Sequence, residues 1–472
     1  MNAWMQREVP FVGRQRELTE LRDVLSVAPV VVIEGARAVG KSALVEAFAA
    51  SLTAPVAWVS CLPGDTARIV ESRAGRALRV APGRVADGLA DASAMLVIDD
   101  AVHMAAGELG SLIAELAPGP TSLGRIVVIG RDHALTERVG GAQYLAIDGL
   151  VPDEALALWR AMPAADRDFA GVYAETRGVP LALRRRAAAA LRNDDPWELA
   201  TLPASAREAL LLATVLGRPA ALSALTHLDA AAPASGWHAL IERQLLIANR
   251  QHRYGVPGLV QDMVLAATGL EQRQSAERSI AAWLTDRLRR ADASPRADLD
   301  DALPPTPSVE QWRDVVLHRL AAGDTKTAIE VVLTHCQPDD LSSIAEHEVM
   351  IAAIGPRVDP RLADRMVELA WRDGRIANAT TALHSLSAGS ASVRARVLIA
   401  SGDLERGAPA LERAAAEAPE LRADLAVLHL LRGDASAAAA ALPDPDHGAL
   451  TVDELIAHSD VARFAGSLDR AR

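Results

Sequence analysis

The sequence predicts an α/β domain with a parallel sheet, followed by a long all-helical region. Three observations carry that expectation. Three short β-branched runs, Pro29 to Glu34, Ala94 to Ile98 and Arg125 to Gly130, alternate with helical patterns, as in a sheet covered on both faces. The first run opens into Gly35-Ala36-Arg37-Ala38-Val39-Gly40-Lys41-Ser42, with a helical pattern from Ala43 to Leu52 behind it. From about Ser308 onward only helices are signalled, punctuated by Gly323-Asp324, Asp373-Gly374, Gly402-Asp403 and Gly433-Asp434.

Strand, Gly-x-x-x-x-Gly-Lys-Ser, helix is the order that makes a phosphate-binding loop. Gly35 and Gly40 let the backbone curl so that N–H groups point inward, and the helix N-terminus adds partial positive charge. The candidate nucleotide contacts are therefore Gly35, Ala38, Val39, Gly40, Lys41, Ser42 and Ala43. Lys41 would reach the β and γ phosphates, and the Ser42 hydroxyl would hold Mg²⁺. The expected ligands are ATP or ADP with Mg²⁺. Only Lys41 and Lys326 are lysines among 49 basic residues, so an ammonium survives where this chemistry asks for one.

The second run delivers Asp99-Asp100 to the carboxyl edge of the sheet. There Asp99 is the candidate Mg²⁺ partner, and Asp100 the residue that would orient an attacking water. The third run ends at Arg131, a candidate sensor of the γ-phosphate. Pro152-Asp153-Glu154-Ala155 then reads as a helix start, with acids in its first turn.

Phe11-Val12-Gly13-Arg14-Gln15-Arg16-Glu17-Leu18 resembles the box that opens the STAND ATPases, signal-transducing relatives of the AAA+ proteins. Asp99-Asp100-Ala101-Val102-His103 is similar to a stretch of their bacterial members, notably the large LuxR-type regulators. Gly178-Val179-Pro180-Leu181 resembles their Gly-x-Pro-Leu lid motif. The resemblance implies that Val12 and Gly13 lie by the adenine, that Pro180 packs on the base, and that Arg131 is the sensor arginine. It divides the chain into a P-loop NTPase core (1–148), a helical lid (149–195), a winged helix (196–268), a helical linker (269–307) and a TPR-like helical array (308–472).

Two departures stand out. In STAND relatives a histidine opens the last winged-helix segment, whereas Pro257 is expected at that place here and offers no such hydrogen bond. The glycine turns of the array are separated by 51, 28 and 31 residues, the last two close to the TPR period, but the consensus aromatics are missing. Residues 285 to 308, rich in Arg and Pro, read as a linker.

Composition narrows the functional classes. At 472 residues the chain should hold two to four domains, and 50% hydrophobic with 23% charged residues excludes a wholly disordered polymer. No apolar run approaches the roughly 18–20 residues of a spanning helix, so membrane insertion is not expected. The opening residues lack the layout of a secretory signal, and Cys61 and Cys336 form no disulfide framework, so the expected location is cytoplasmic. Net charge is −12, and residues 203 to 268 hold Arg207, Arg218, Arg243, Arg250 and Arg253 against four acids, so direct DNA binding is not expected. The leading expectation is a slow ATPase acting as a regulatory switch, engaging a protein partner through the helical array and self-associating on ATP. The alternatives are a DNA-acting ATPase, LuxR-type or origin-recognition-like, and a nucleotide-bound structural subunit that does not hydrolyse.

Overall fold

The three apolar runs all become central strands. The computed structural model describes residues 11–62, 64–81, 83–117, 122–130, 139, 141–162, 168–192, 195, 198–228, 234–249, 252–293, 308–336, 341–356, 358–386, 397–417, 421–443 and 452–464. The chain divides into two compact units, Met1–Thr325 and Lys326–Arg472.

The first unit begins with α1 (Gln15–Val27), β1 (Val30–Glu34), α2 (Lys41–Ala49), β2 (Val56–Ser60), α3 (Ala67–Leu78), α4 (Val85–Asp91), β3 (Met95–Asp99), α5 (Ala106–Leu116), β4 (Arg125–Ile129) and β5 (Gln143–Ala146). The strands form one sheet in the order β2-β3-β4-β1-β5, and every neighbouring pair is parallel. Side chains alternate between faces along a strand. Val30 and Val32 of β1 therefore join one buried layer with α3, α4 and α5, while Val31 and Ile33 join the other with α1 and α2. The same split occurs in β3 and β4, which explains why these runs are continuously apolar rather than alternating.

Three helices follow, α6 (Pro152–Arg160), α7 (Phe169–Thr176) and α8 (Pro180–Arg192), packed on Leu150, Leu158, Trp159 and Leu183 in the region expected as the lid. A second module comprises α9 (Ala204–Leu216), β6 (Ala220–Ala221), α10 (Leu222–Leu228), α11 (Ala234–Glu242), β7 (Ile247–Ala248), β8 (Arg253–Gly255) and α12 (Gly258–Ala267). Its three short strands are antiparallel, in the order β6-β8-β7. Then come α13 (Leu270–Ala293) and α14 (Val309–Ala321). Residues 285–293, part of the expected helical linker, continue α13, where Leu288 is buried; the rest of that stretch up to 307 lies outside the described residues. Helix α14, at the head of the expected array, packs within the first unit, against α13.

The second unit runs through α15 (Thr325–His335), α16 (Leu341–Ile354), α17 (Pro360–Arg372), α18 (Ile376–Leu386), α19 (Leu404–Glu417), α20 (Arg422–Leu431), α21 (Ala435–Ala441) and α22 (Val452–Phe464), and all its described elements are helical. Gly323, Gly374, Gly402 and Gly433 all take positive φ beside helix ends, the left-handed cap that glycine adopts without a Cβ penalty. Small alanine-lined seams hold neighbouring helices together, with Ala408, Leu411 and Leu428 in one and Ala423, Ala438 and Ala457 in another. Among the described residues no helix is long and apolar enough to cross a membrane.

Candidate nucleotide site

The site forms where β1 ends. Gly35 has φ +150°, and a Cβ there would lie 2.1 Å from the Ile147 carbonyl oxygen, so the backbone just past β5 permits only glycine. Gly40, with φ +95°, is the N-cap of α2, and Lys41 is that helix's first residue. The Lys41 ammonium donates to the Gly35 and Ala36 carbonyl oxygens at 2.7 and 2.9 Å. It is thus folded into its own loop, one-tenth exposed.

Strand order brings β3 one strand beyond β4, and the Ser42 hydroxyl donates to Asp99 Oδ1 at 3.2 Å. Asp99 also accepts from the Asp100 amide at 2.9 Å. Burial, and secondly the neighbouring Asp100 charge, push the Asp99 carboxyl up to about 6. A serine hydroxyl and a buried carboxylate in contact form a hard-oxygen pair of the kind Mg²⁺ takes. The residues present fit that ion, and Ser42 and Asp99 would hold it.

A carboxyl with a raised pKa favours the folded state fully below the usual value near 3.8, and that contribution is lost as pH rises through about 6. At pH 7 the buried charge therefore costs stability. Asp99→Asn should stabilise the nucleotide-free chain at pH 7, by on the order of 2 kcal/mol, with the gain shrinking towards pH 4. Mg²⁺ affinity should fall about tenfold per pH unit below about 6, where the proton competes. Melting curves and Mg²⁺ titrations between pH 4 and 8 check both; a flat pair of profiles removes Asp99 from the metal site.

The Phe11 to Leu18 box ties this site to α6. Arg14 is 3% exposed and donates through Nη2 to the Val39 carbonyl of the loop at 3.0 Å and to the Asp148 carbonyl beyond β5. Its Nη1 pairs with Glu17 at 2.6 Å, and its backbone amide donates to Glu154 of α6 at 2.7 Å. A Cβ on Gly13, which has φ +76°, would collide with the Glu154 side chain at 2.7 Å. Val12 packs against the buried cluster of α6, α7 and α8. Pro180, first residue of α8, stands over the loop, its Cγ 3.9 Å from where a Gly40 Cβ would be. Pro180 thus adjoins the phosphate loop, while Val12 and Gly13 meet the helices that follow the sheet. Arg131 lies outside the described residues.

The structure also brings in Arg37, which no sequence motif marks. Its Nη1 donates to the Gly258 carbonyl at 2.7 Å and pairs with Asp262, both in α12 of the second module. Pro257, the N-cap of α12, sits directly before that contact. The available signal was an arginine at a variable loop position flanked by alanines; its distant partner left no local trace.

No family model matches the sequence, and no curated protein matches it. Among solved structures, a Signal Transduction ATPase with Numerous Domains carrying a tetratricopeptide repeat sensor, from Pyrococcus horikoshii, aligns over 98% of this chain and 82% of its own, at 14% identity and a TM-score of 0.60. A Walker-type ATPase from Pyrococcus abyssi covers 55% of the chain at 14% identity with a TM-score of 0.33, and Thermotoga maritima RuvB covers 54% at 18% with 0.25. The first likeness gives the fold alone: a P-loop α/β core with a parallel sheet, followed by a helical array. The other two are too distant to add to it.

Proposed function

We propose that this chain is an ATP-binding switch of the STAND type. Nucleotide at the phosphate loop sets the position of the second module, which we read as a winged helix, and the helical array engages a protein partner. The observation that carries the reading is Arg37, which ties the phosphate loop to α12. A ligand shifts a two-state equilibrium only by its differential affinity for the two states, and a loop bonded to the moving part can supply that difference. Pro257 stands where a histidine is usual in STAND relatives, and Arg37 bonds the loop to α12 of the module read as a winged helix. Val12, Gly13 and Pro180 would flank the base, and Lys41 the β and γ phosphates, beside the holders of Mg²⁺.

Limited proteolysis of the α12 region with no nucleotide, ADP or ATP, alongside recovery of co-purifying proteins in each state, tests the switch. Cleavage patterns and recovered partners indifferent to a bound nucleotide would remove it. Self-association on ATP belongs to the same reading and is followed by light scattering.

Hydrolysis, where it occurs, rests on Asp100, which takes φ +52° at the end of β3. Asp100→Asn should leave ATP affinity within about threefold and lower turnover by roughly 10²-fold, the range for a group that positions or activates the attacking water. Equal phosphate release by wild type and variant would make Asp100 structural and favour a non-hydrolysing subunit.

Direct DNA recognition is not part of the proposal. Arg218 is held by Asp314 of α14, and Arg243 donates to the Thr201 hydroxyl, so two of the module's arginines are already engaged. With a net charge of −12, duplex affinity at about 150 mM salt should be no better than the 10⁻⁶ M of non-specific binding. A mobility-shift assay with and without ATP measures this, and tight, sequence-selective binding would restore the transcriptional-regulator alternative.

A further inference from the structure

Helix α14 carries four ionisable side chains that pair with elements of three different parts of the first unit. Arg313 meets Asp65 at 2.7 Å, with both side chains 1% exposed or less. Asp65 lies past the end of β2, where it also accepts from the Leu62 amide at 2.7 Å and pairs with Arg73 of α3 at 2.8 Å. One turn before Arg313, Glu310 binds Arg73 at 2.8 Å and Arg76 at 2.7 Å. Asp314 pairs with Arg218, between α9 and β6 of the winged-helix module. His318 Nδ1 stands 2.5 Å from Glu277 of α13. Positions 310, 313, 314 and 318 lie along adjoining ridges of one helix surface.

The ATPase end of this cluster adjoins the nucleotide site. The Cys61 amide, at the end of β2, donates to the Asp99 carbonyl at 2.8 Å, and Asp65 follows four residues later. In the chain, α14 is also the helix immediately before the second unit.

Buried ion pairs are poor stabilisers, because desolvation offsets most of their attraction; their best-attested use is to specify one arrangement over another. Arg313 and Asp65 fit that use, since an apolar pair would fill the place without setting the register of α14. We propose that α14 is a clasp. Through Arg313 and Glu310 it grips the ATPase core, through Asp314 it grips the winged helix, and the closed arrangement of the two persists while both grips hold. Release of α14 is then the step that carries nucleotide state into the helical array. This rests on the switch reading above, and it adds the helix that transmits the switch.

The test is hydrogen exchange in the full chain, read by mass spectrometry over residues 309–321. Without nucleotide, Asp314→Asn and Glu310→Gln should speed exchange there severalfold, and Arg313→Met at least tenfold. Arg313→Met leaves Asp65 its Arg73 partner, so the core keeps a paired carboxylate. Arg218→Asp alone should also loosen the helix, and adding Asp314→Arg should restore slow exchange. Simple loss of helix stability would not be rescued that way. In the wild type, Mg·ATP should speed exchange over 309–321 and ADP should not.

Absence of rescue in the double variant overturns the clasp. So does exchange over 309–321 that ignores ATP in a protein shown by titration to be loaded. Should titration detect no ATP binding, the switch reading fails, and the nucleotide-free rescue alone decides the clasp. Should Arg313→Met fail to fold, the Asp314 and Arg218 variants decide it.

Discussion

Lys41→Ala is expected to weaken ATP and ADP binding by at least about a hundredfold. A charge-assisted hydrogen bond contributes roughly 1.5–3 kcal/mol, and an ammonium reaching two phosphate groups makes two of them. Their loss corresponds to about 10²–10⁴ in affinity at 1.4 kcal/mol per tenfold. No other lysine lies in the first unit, because the second one is Lys326. Lys41→Arg should not rescue, since the larger planar fork does not fit where the ammonium now meets the Gly35 and Ala36 carbonyls. Those two bonds hold only a short loop, so the melting temperature should move by a few degrees at most. Calorimetric titration with both nucleotides checks the first expectation and thermal unfolding the second. Undiminished affinity in a folded Lys41→Ala protein would remove the phosphate-loop assignment.

What was legible in the sequence followed from local physics. Continuous β-branched runs announced β1, β3 and β4 because both faces of each strand are covered. The glycines at 35 and 40 announced a curled loop, and those at 323, 374, 402 and 433 announced helix turns, all of them at positive φ. Strands β2 and β5 gave no such signal because they are the two edges of the sheet, half-exposed and compositionally mixed. The membership of α14 was hidden for a different reason. Its amphipathic pattern is that of any array helix, and what docks it is Asp65, some 250 residues away in sequence. Arg37 and Asp262 likewise share no local pattern. Lys41, Ser42 and Asp99 stand out in the sequence because each belongs to a strand-and-loop signature, and the fold places Ser42 against Asp99.

Arg14→Ala is expected to cost the first unit about 3–5 kcal/mol, a large part of the roughly 5–15 kcal/mol typical of a domain. The guanidinium is 3% exposed and holds three separate pieces of chain: the loop at Val39, the end of the sheet at Asp148, and Glu17 of α1. Removing it strips two carbonyls of their donor in a place water reaches poorly, and leaves a cavity beside Val39. Arg14→Lys should be nearly as damaging, since one ammonium on a flexible stem cannot span acceptors that a five-donor fork reaches together. The left-handed backbone of Arg14, φ +65°, makes the comparison with glycine informative. Arg14→Gly loses the same side-chain bonds but relieves a strain of roughly 1–2 kcal/mol, so it should sit above Arg14→Ala in stability by about that amount, less the entropy glycine adds to the unfolded chain. Urea unfolding followed through the transition of the first unit gives all three values. Nucleotide affinity should fall with them, because the lost guanidinium is what holds the phosphate loop at Val39. An Arg14→Ala protein within about 0.5 kcal/mol of wild type would mean that the Phe11 to Leu18 box serves the nucleotide directly, and not the joint between loop, sheet and α1.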